Sequence, residues 1–260
     1  MHFKLPLLLL ATLSLSACSI SFFGQEKATR ESSLQYTASP EVRNIRVDGF
    51  NGDVRVFPSE SKEISGTATT FARGGTQAEA ARRLGQIHWS FREVGNTLYL
   101  ELSHPDGGSN NAGSDLTELY VPASWKVDID TSNGDVDVAK GFQTVLVNTS
   151  NGDLKIHCDG KVRLRSSNGD MELSGSTQDF QLSSSNGEIT IALDGDWNGS
   201  GSAHSSNGKI SVRCSGVMDC SLRASTSNGK VKVYGPSLDK GKGSLVLDSS
   251  NSGISVTHGK

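Results

Sequence analysis

One position of this chain repeatedly carries an acid. The residue directly after a recurring Asn-Gly pair is Asp53, Asp135, Asp153, Asp170, Glu188, Lys209 and Lys230 in successive copies. Carboxylates aligned this way repel one another, and a bound divalent cation would relieve the repulsion. Calcium-binding solenoids use a nine-residue repeat with paired glycines instead. A solvated strand face is therefore the expected interpretation, with weak cation binding by the four acids from Asp135 to Glu188 as the alternative.

Few residues suggest catalysis. Cleavage of a polysaccharide would need converging carboxylates in a groove with aromatic platforms. Only Trp197 suggests a platform, and its glycine-rich surroundings favour packing instead. The histidines form no metal spacing, and no Gly-x-Ser-x-Gly elbow lies between a strand and a helix. We expect no enzymatic activity, no catalytic residues, no cofactor and no metal, with binding or cleavage of an envelope polysaccharide as the alternative function.

The amino terminus indicates export. Residues 1–17 combine a positive start, a short apolar run and small residues before Cys18, which is typical of a secretory signal peptide. The run is too short to span a bilayer. Leu15-Ser-Ala-Cys18 resembles the bacterial lipobox. The resemblance implies cleavage before Cys18 and acylation of its sulfur and amino group, which together make a stable membrane anchor.

These residues predict a localisation. We expect a lipid-anchored protein of the bacterial cell envelope. If the host is Gram-negative, Ser19 after Cys18 implies the outer membrane. Residues 18–40 are mostly polar and are predicted to form the lipidated cysteine and a flexible tether.

A repeat dominates the rest of the sequence. Copies of (Thr/Ser)-Ser-Asn-Gly begin at Thr131, Thr149, Ser166, Ser184, Ser205 and Thr226, and a degenerate copy begins at Ser249. The spacings are 18, 17, 18, 21, 21 and 23 residues. Apolar residues alternate on both sides of each Asn-Gly, which is typical of strands with one buried face. Each repeat is therefore predicted to form two strands joined by two turns.

Units of this kind bury their apolar rows best by stacking as coils with parallel strands, about 4.8 Å apart. We predict an all-β fold, a two-sided parallel β-solenoid of about 17–23-residue repeats over residues 131–260. Residues 41–130 are predicted to form a small β-rich N-terminal cap. It contains a short helix from a capping box at Thr76 and Glu79 to about Ile87. Strands are expected over 63–70, 87–94, 97–102 and 116–121.

Three cysteines remain for the folded part. Cys214 and Cys220 have inward parity and flank the turn over 215–219, so a disulfide between them is expected in an exported protein. Cys158 occupies the position of Cys214 three coils away, roughly 14 Å at the inter-strand spacing. That exceeds disulfide reach. Cys158 is therefore predicted to be a buried free thiol without a catalytic role.

The (Thr/Ser)-Ser-Asn-Gly repeats, the strand–helix–strand segment before them and Tyr120-Val-Pro resemble the bacterial DUF4097 β-strand-repeat family of putative adhesins. The resemblance covers roughly residues 40–260. The chain departs from the family pattern at the degenerate last copy and at the glycine- and serine-rich stretch 197–204. It implies the solenoid fold and, through the family label, an adhesin-like role.

The expected function combines these observations. A formal net charge of −3 gives no electrostatic reason to expect nucleic acid as a partner. Duplicated coils enlarge a surface without adding a catalytic site. We therefore expect a non-enzymatic envelope protein, adhesin-like or a scaffold, that is attached to the membrane by its lipid and meets a protein or glycan partner.

Overall fold

The structure, a computed structural model, describes residues 25–104 and 111–259. Cys18 and the signal segment 1–17 lie outside the described residues. The strands before the regular repeats are β1 (Glu26–Thr37), β2 (Asn44–Asp48), β3 (Val54–Ser59), β4 (Glu63–Gly74), β5 (His88–Val94), β6 (Thr97–Ser103), β7 (Ala112–Pro122) and β8 (Lys126–Asp130). The described residues also contain one helix, α1 (Gln77–Leu84).

The repeats contribute the remaining strands. These are β9 (Val136–Asn148), β10 (Leu154–Ser166), β11 (Met171–Gly175), β12 (Asp179–Ser184), β13 (Ile189–Leu193), β14 (Ser200–Ser205), β15 (Ile210–Cys214), β16 (Cys220–Thr226), β17 (Val231–Tyr234), β18 (Gly243–Ser249) and β19 (Ile254–His258). The predicted alternation is confirmed: Ile189 and Ile191 of β13 are buried, whereas Thr190 between them is exposed. The all-β prediction is confirmed too, with a large and mostly parallel sheet.

Equivalent strands of successive repeats pair in parallel and form two rows. Row A has the order β6, β2, β8, the second part of β9, the second part of β10, β12, β14, β18 and β16. Row B has the order β7, β3, the first part of β9, the first part of β10, β11, β13, β15, β19 and β17. One strand of each row makes a layer, and the inward side chains of both rows belong to one continuous core.

The layers follow the chain only in the middle of the stack. Near its start, β2 and β3 lie between the layer of β6 and β7 and the layer that begins with β8. Near its end, β18 and β19 lie between the layer of β14 and β15 and the layer of β16 and β17. The coils closest to the two ends of the described chain are therefore inserted, each with a neighbour on both sides. Consecutive stacking, which the repeat suggests, holds only from β8 to β15.

The first layers carry antiparallel additions. Strand β4 pairs with β7, β1 pairs with β4, and β5 pairs with β6, all antiparallel. Helix α1 begins where predicted, because the Thr76 hydroxyl accepts a hydrogen bond from the Glu79 N–H (3.2 Å), but it ends at Leu84 rather than near Ile87. Alanines of β1 and β4 form a small apolar cluster with the helix.

Strand β1 corrects the predicted tether. The second half of the segment 18–40 is a strand of twelve residues, whose Ala28 and Leu34 are buried. The polar composition of this segment concealed the strand, since its outward residues are all polar and only two inward positions are strongly buried. Any tether is therefore confined to residues before Glu26.

Candidate functional surfaces

The Asn-Gly corner is built outward from a buried hydroxyl. Ser205, two positions before its Asn, is fully buried, donates to the carbonyl of Gly187 (2.9 Å) and accepts from the N–H of Gly208 (2.8 Å). A Cβ on Gly208 would lie 1.8 Å from the Gly187 carbonyl oxygen, so only glycine permits this approach of two layers. The corner at Asn207 is thereby tied both to its own turn and to the neighbouring layer, whereas the equivalent buried hydroxyls of Thr149 and Ser166 make no hydrogen bond.

The asparagines of the corners form a continuous hydrogen-bonded ladder. In each step a side-chain Nδ2 donates to the Oδ1 of an asparagine in the neighbouring layer, over 2.5 to 2.8 Å. This asparagine ladder has the order Asn51, Asn133, Asn151, Asn168, Asn186, Asn207, Asn251 and Asn228. Asn251 precedes Asn228 in the ladder, so these contacts record the same interchange of the last two coils as the strands do.

The acids after Asn-Gly form a second ladder, the acidic column of Asp53, Asp135, Asp153, Asp170 and Glu188. Each aspartate uses Oδ1 to accept the backbone N–H of the next member, over 2.7 to 3.0 Å. Asp115 of β7 binds the N–H of Asp53 in the same way (3.0 Å). A backbone donor at the corner is thereby satisfied in the five layers from Asp53 to Glu188, which gives the aspartates a structural role that the sequence did not reveal.

The acidic column borders a groove of about 630 Å³ on the outer face of row B. A neighbouring line of side chains alternates in sign, with Arg55, Asp137, Lys155 and Glu172 in register on adjacent strands. The groove is lined by seven acids and two bases, so it is strongly acidic. Within the described ranges, however, no three His, Cys, Asp or Glu side chains are grouped so that they could hold a metal ion.

The continuation of the column differs from the prediction. Consecutive stacking places Lys230 beside Lys209. In the structure the last coil separates them, because the Ile210 N–H donates to the Gly253 carbonyl (3.2 Å) and the Ile254 N–H donates to the Lys230 carbonyl (3.0 Å). The line of corner residues therefore runs from acids through Lys209 and the uncharged Gly253 to Lys230.

Row A presents an outer face of mixed charge, with a groove of about 540 Å³. Arg163 makes two hydrogen bonds to the carboxylate of Asp179 (2.9 and 3.2 Å). Arg46 bridges Asp48 (2.8 Å) and Asp130 (3.2 Å). Burial raises the pKa of the Asp48 carboxyl, against the opposing influence of Arg46. The charged groups on this face are therefore largely engaged with one another.

Three residues of row A resemble a catalytic set but are in the wrong order. His204 Nδ1 lies 3.3 Å from Asp248 Oδ2, and the Ser225 hydroxyl donates to Asp248 Oδ1 (2.7 Å). A serine nucleophile needs the histidine between the serine and the acid, so that the imidazole takes the hydroxyl proton. Here the acid is central. The sequence could not indicate this cluster, because it depends on the interchange of the last two coils.

Trp197 is not a surface platform. Its side chain is 1 % exposed, its ring centroid lies 5.9 Å from that of Phe180, and its indole N–H donates to the Thr177 carbonyl (2.9 Å). A Cβ on Gly201 would lie 2.2 Å from the Phe180 ring. The glycine-rich stretch therefore makes room for two large aromatic rings in the core, and the predicted packing role of Trp197 is confirmed.

Cys158, Cys214 and Cys220 are buried free thiols, so the structure does not contain the expected Cys214–Cys220 disulfide. The inserted last coil explains the difference. Cys214 pairs with His258 of that coil on one side, and Cys220 pairs with Gly243 of it on the other. Burial raises the pKa of all three thiols, that of Cys220 to about 11. The thiolate, the reactive form, is disfavoured at neutral pH.

Among the described residues, no helix is long and apolar enough to cross a membrane. No family model matches the chain. No curated protein matches it either. The similarity to DUF4097 proteins therefore stays a resemblance based on the repeats.

The chain aligns with several solved structures. A putative adhesin from Bacteroides fragilis NCTC 9343 aligns with a TM-score of 0.52 and 18 % identity over 87 % of this chain and 96 % of its own. A putative adhesin from Parabacteroides distasonis ATCC 8503 (TM-score 0.39) and a putative cell adhesion protein from Clostridium sporogenes ATCC 15579 (0.36) are each 12 % identical. They cover 88 % of this chain and 97 % and 100 % of theirs. The chain therefore has the fold of the Bacteroides fragilis protein.

Proposed function

We propose that this chain is a non-enzymatic, lipid-anchored protein of the bacterial cell envelope, a two-sided β-solenoid that presents its outer faces to a protein or glycan partner. The observation that carries the proposal is the ladder architecture, in which outward polar side chains bind their equivalents in adjacent layers. A surface held in this way is ordered before a partner arrives, so binding loses little conformational entropy. Such a surface suits an adhesin-like protein or an envelope scaffold.

The chemistry of both faces supports a surface rather than a catalytic centre. Asp135 and its neighbours each commit a carboxylate oxygen to a backbone N–H. Arg163 is held by Asp179. Trp197, the one residue that suggested a sugar platform, lies in the core. Because these charged groups are already bound within the protein, they favour contact with a partner across a broad area rather than reaction at one point.

The anchor is tested by replacing the lipidation candidate. Cys18→Ala should release the protein into the soluble fraction after detergent-free fractionation, because one thioether-linked diacylglycerol and one acyl amide would both be lost. Cys158→Ala is the matched control and should stay in the membrane fraction. Retention of Cys18→Ala in that fraction would contradict lipid anchoring.

Orientation is tested by protease shaving of intact cells, with a periplasmic protein as the control. Degradation of this protein while the periplasmic control survives would support exposure to the outside and an adhesin-like role. Protection of both proteins would instead favour an envelope scaffold inside the periplasm.

The polysaccharide alternative is tested with four isosteric changes in the groove. Asp135→Asn, Asp153→Asn, Asp170→Asn and Glu188→Gln preserve a side-chain oxygen acceptor while removing charge. We expect neither the parent nor the variant to release reducing ends from purified envelope polysaccharide. Release by the parent that disappears in the variant would replace the proposed function by an enzymatic one.

A further inference from the structure

The layer of β16 and β17 leaves one strand edge open at the end of the stack. Strand β17 pairs with β19 on one side. On its other side, no strand is in register with it among residues 25–104 and 111–259. Half of the backbone N–H and C=O groups of a strand point toward each side, so β17 presents a row of hydrogen-bonding groups that another strand can use.

Apolar side chains accompany this open edge. Val231 and Val233 point inward like the apolar residues of every other layer, yet they are 40 % and 42 % exposed, whereas Val256 of the adjacent layer is fully buried. Tyr234 is 54 % exposed. The apolar row of the core therefore continues to the end of the stack, where nothing in the described part of the chain covers it.

The neighbouring edge, that of β16, is closed by the chain itself. The loop from Gly235 to Lys242 passes along it, and the Leu222 N–H donates to the carbonyl of Leu238, whose side chain is buried (2.9 Å). His258 holds the start of this loop through a hydrogen bond between Nε2 and the Pro236 carbonyl (3.1 Å). In the part of the chain that the structure describes, only the β17 side of the last layer is therefore available for a further strand.

The charges around the open edge select the kind of strand that can be added. This end of the stack carries five exposed bases, none of which forms an ion pair within the described residues: Arg223, Lys230, Lys232, Lys240 and Lys242. Two copies meeting end to end would bring both sets of bases together, and lysines opposite one another on paired strands are destabilising. Acidic side chains on an added strand would instead be attracted to these bases.

We propose that the open edge of β17 binds an extended segment of another protein, with alternating apolar and acidic side chains, by strand addition. Its apolar side chains would cover Val231 and Val233, and its acids would lie beside Lys230 and Lys232. This site lies at the end of the stack, separate from the outer faces to which the proposed function assigns partner binding. It does not depend on that function.

The test uses the full chain and two synthetic probes. One fluorescent heptapeptide alternates Glu and Val, and the other alternates Lys and Val. Fluorescence anisotropy should show the acidic peptide binding roughly tenfold more tightly than the basic one, because two or more cross-strand charge pairs differ in sign. Lys230→Glu with Lys232→Glu should reverse the preference. Lys62→Glu with Lys140→Glu, exposed lysines in other layers, is the matched control and should preserve it.

Strand addition is separated from simple charge attraction by methylating alternate backbone nitrogens of the acidic peptide. The methyl groups remove edge donors but keep every side chain, so binding should be lost. Equal binding of the methylated and unmethylated peptides would overturn the proposal. Failure of both unmethylated peptides to bind would overturn it as well, and so would concentration-dependent dimerisation in sedimentation velocity that Val233→Asp abolishes, because the occupant would then be a second copy.

Discussion

The middle of the stack and its two ends are assembled differently. From β8 to β15 each layer lies on the layer that precedes it in the chain, and ladder contacts join residues 17 to 21 positions apart. At the ends the order is interchanged, and Asn133 binds Asn51 across 82 positions while Asn251 binds Asn207 across 44. The contacts that join layers in the middle therefore have short sequence separations, whereas those that attach the inserted coils to the middle have long ones.

The difference shows how a repeat protein can protect the ends of its stack. A terminal coil stacked in chain order has a neighbour on one side only and frays easily. The inserted coil of β18 and β19 pairs with β14 and β15 on one side and with β16 and β17 on the other. The exposed edge is then formed by β16 and β17, which are connected to the rest of the protein at both ends of their segment.

The largest expected effect comes from two deletions of equal length. Removing residues 243–260 takes out the inserted coil and should abolish cooperative unfolding of the last layers, because β16 and β17 lose their partners. Removing residues 220–237 takes out only the outermost layer, and the remaining coil can still lie on β14 and β15. Thermal melts followed by circular dichroism should therefore show a much lower Tm for the first deletion. The opposite ranking would contradict the interchanged order.

A buried charge should distinguish the middle from the end. Leu154→Asp places a carboxylate at a position that is 1 % exposed and should reduce the free energy of unfolding by about 4 kcal/mol or more. Val233→Asp occupies another inward position of row B, at the open edge where water reaches it, and should have an effect of about 1 kcal/mol or less. Urea unfolding measures both. Equal losses would mean that the last layer is covered.

The Cys220 thiol should make the last layers sensitive to alkaline pH. Burial raises its pKa from 9.0 to about 11, so between these values the folded state retains a proton that the unfolded state has lost. Stability conferred by the protonated thiol is complete below pH 9 and decreases as the pH rises, by on the order of 1 kcal/mol at pH 10. Urea unfolding at pH 8 and pH 10 should show a smaller decrease for Cys220→Ala than for the parent. Identical decreases would contradict the raised pKa.

The smallest effect is expected in the asparagine ladder. Asn168 both donates to Asn151 (2.7 Å) and accepts from Asn186 (2.6 Å), whereas Asn228 makes one ladder bond, to Asn251 (2.8 Å). Asn168→Ala should therefore cost about 1 kcal/mol and Asn228→Ala about half as much. The difference would be measured by urea unfolding, and a larger loss for Asn228→Ala would show that the end of the ladder is the more critical part.

The outer surfaces could be predicted only in part. The acids of the column were identified as aligned, but the hydrogen bond from the Asp153 N–H to Asp135 could not be predicted, because it depends on side-chain geometry between layers. The cluster of His204, Asp248 and Ser225 and the open edge of β17 could not be predicted either. Both depend on which coil follows which in space.

The sequence by itself determined the unit of the fold. Alternating residues such as Ile189 and Ile191 specify one buried face, and the Asn-Gly pair with its buried hydroxyl specifies the corner, since these are local properties of the backbone and its side chains. Only the tertiary structure decided the order of the layers. Every coil presents similar apolar rows to both sides, so the residues of β18 alone do not show whether it lies between β14 and β16 or beyond β16. That choice depends on all the layers together.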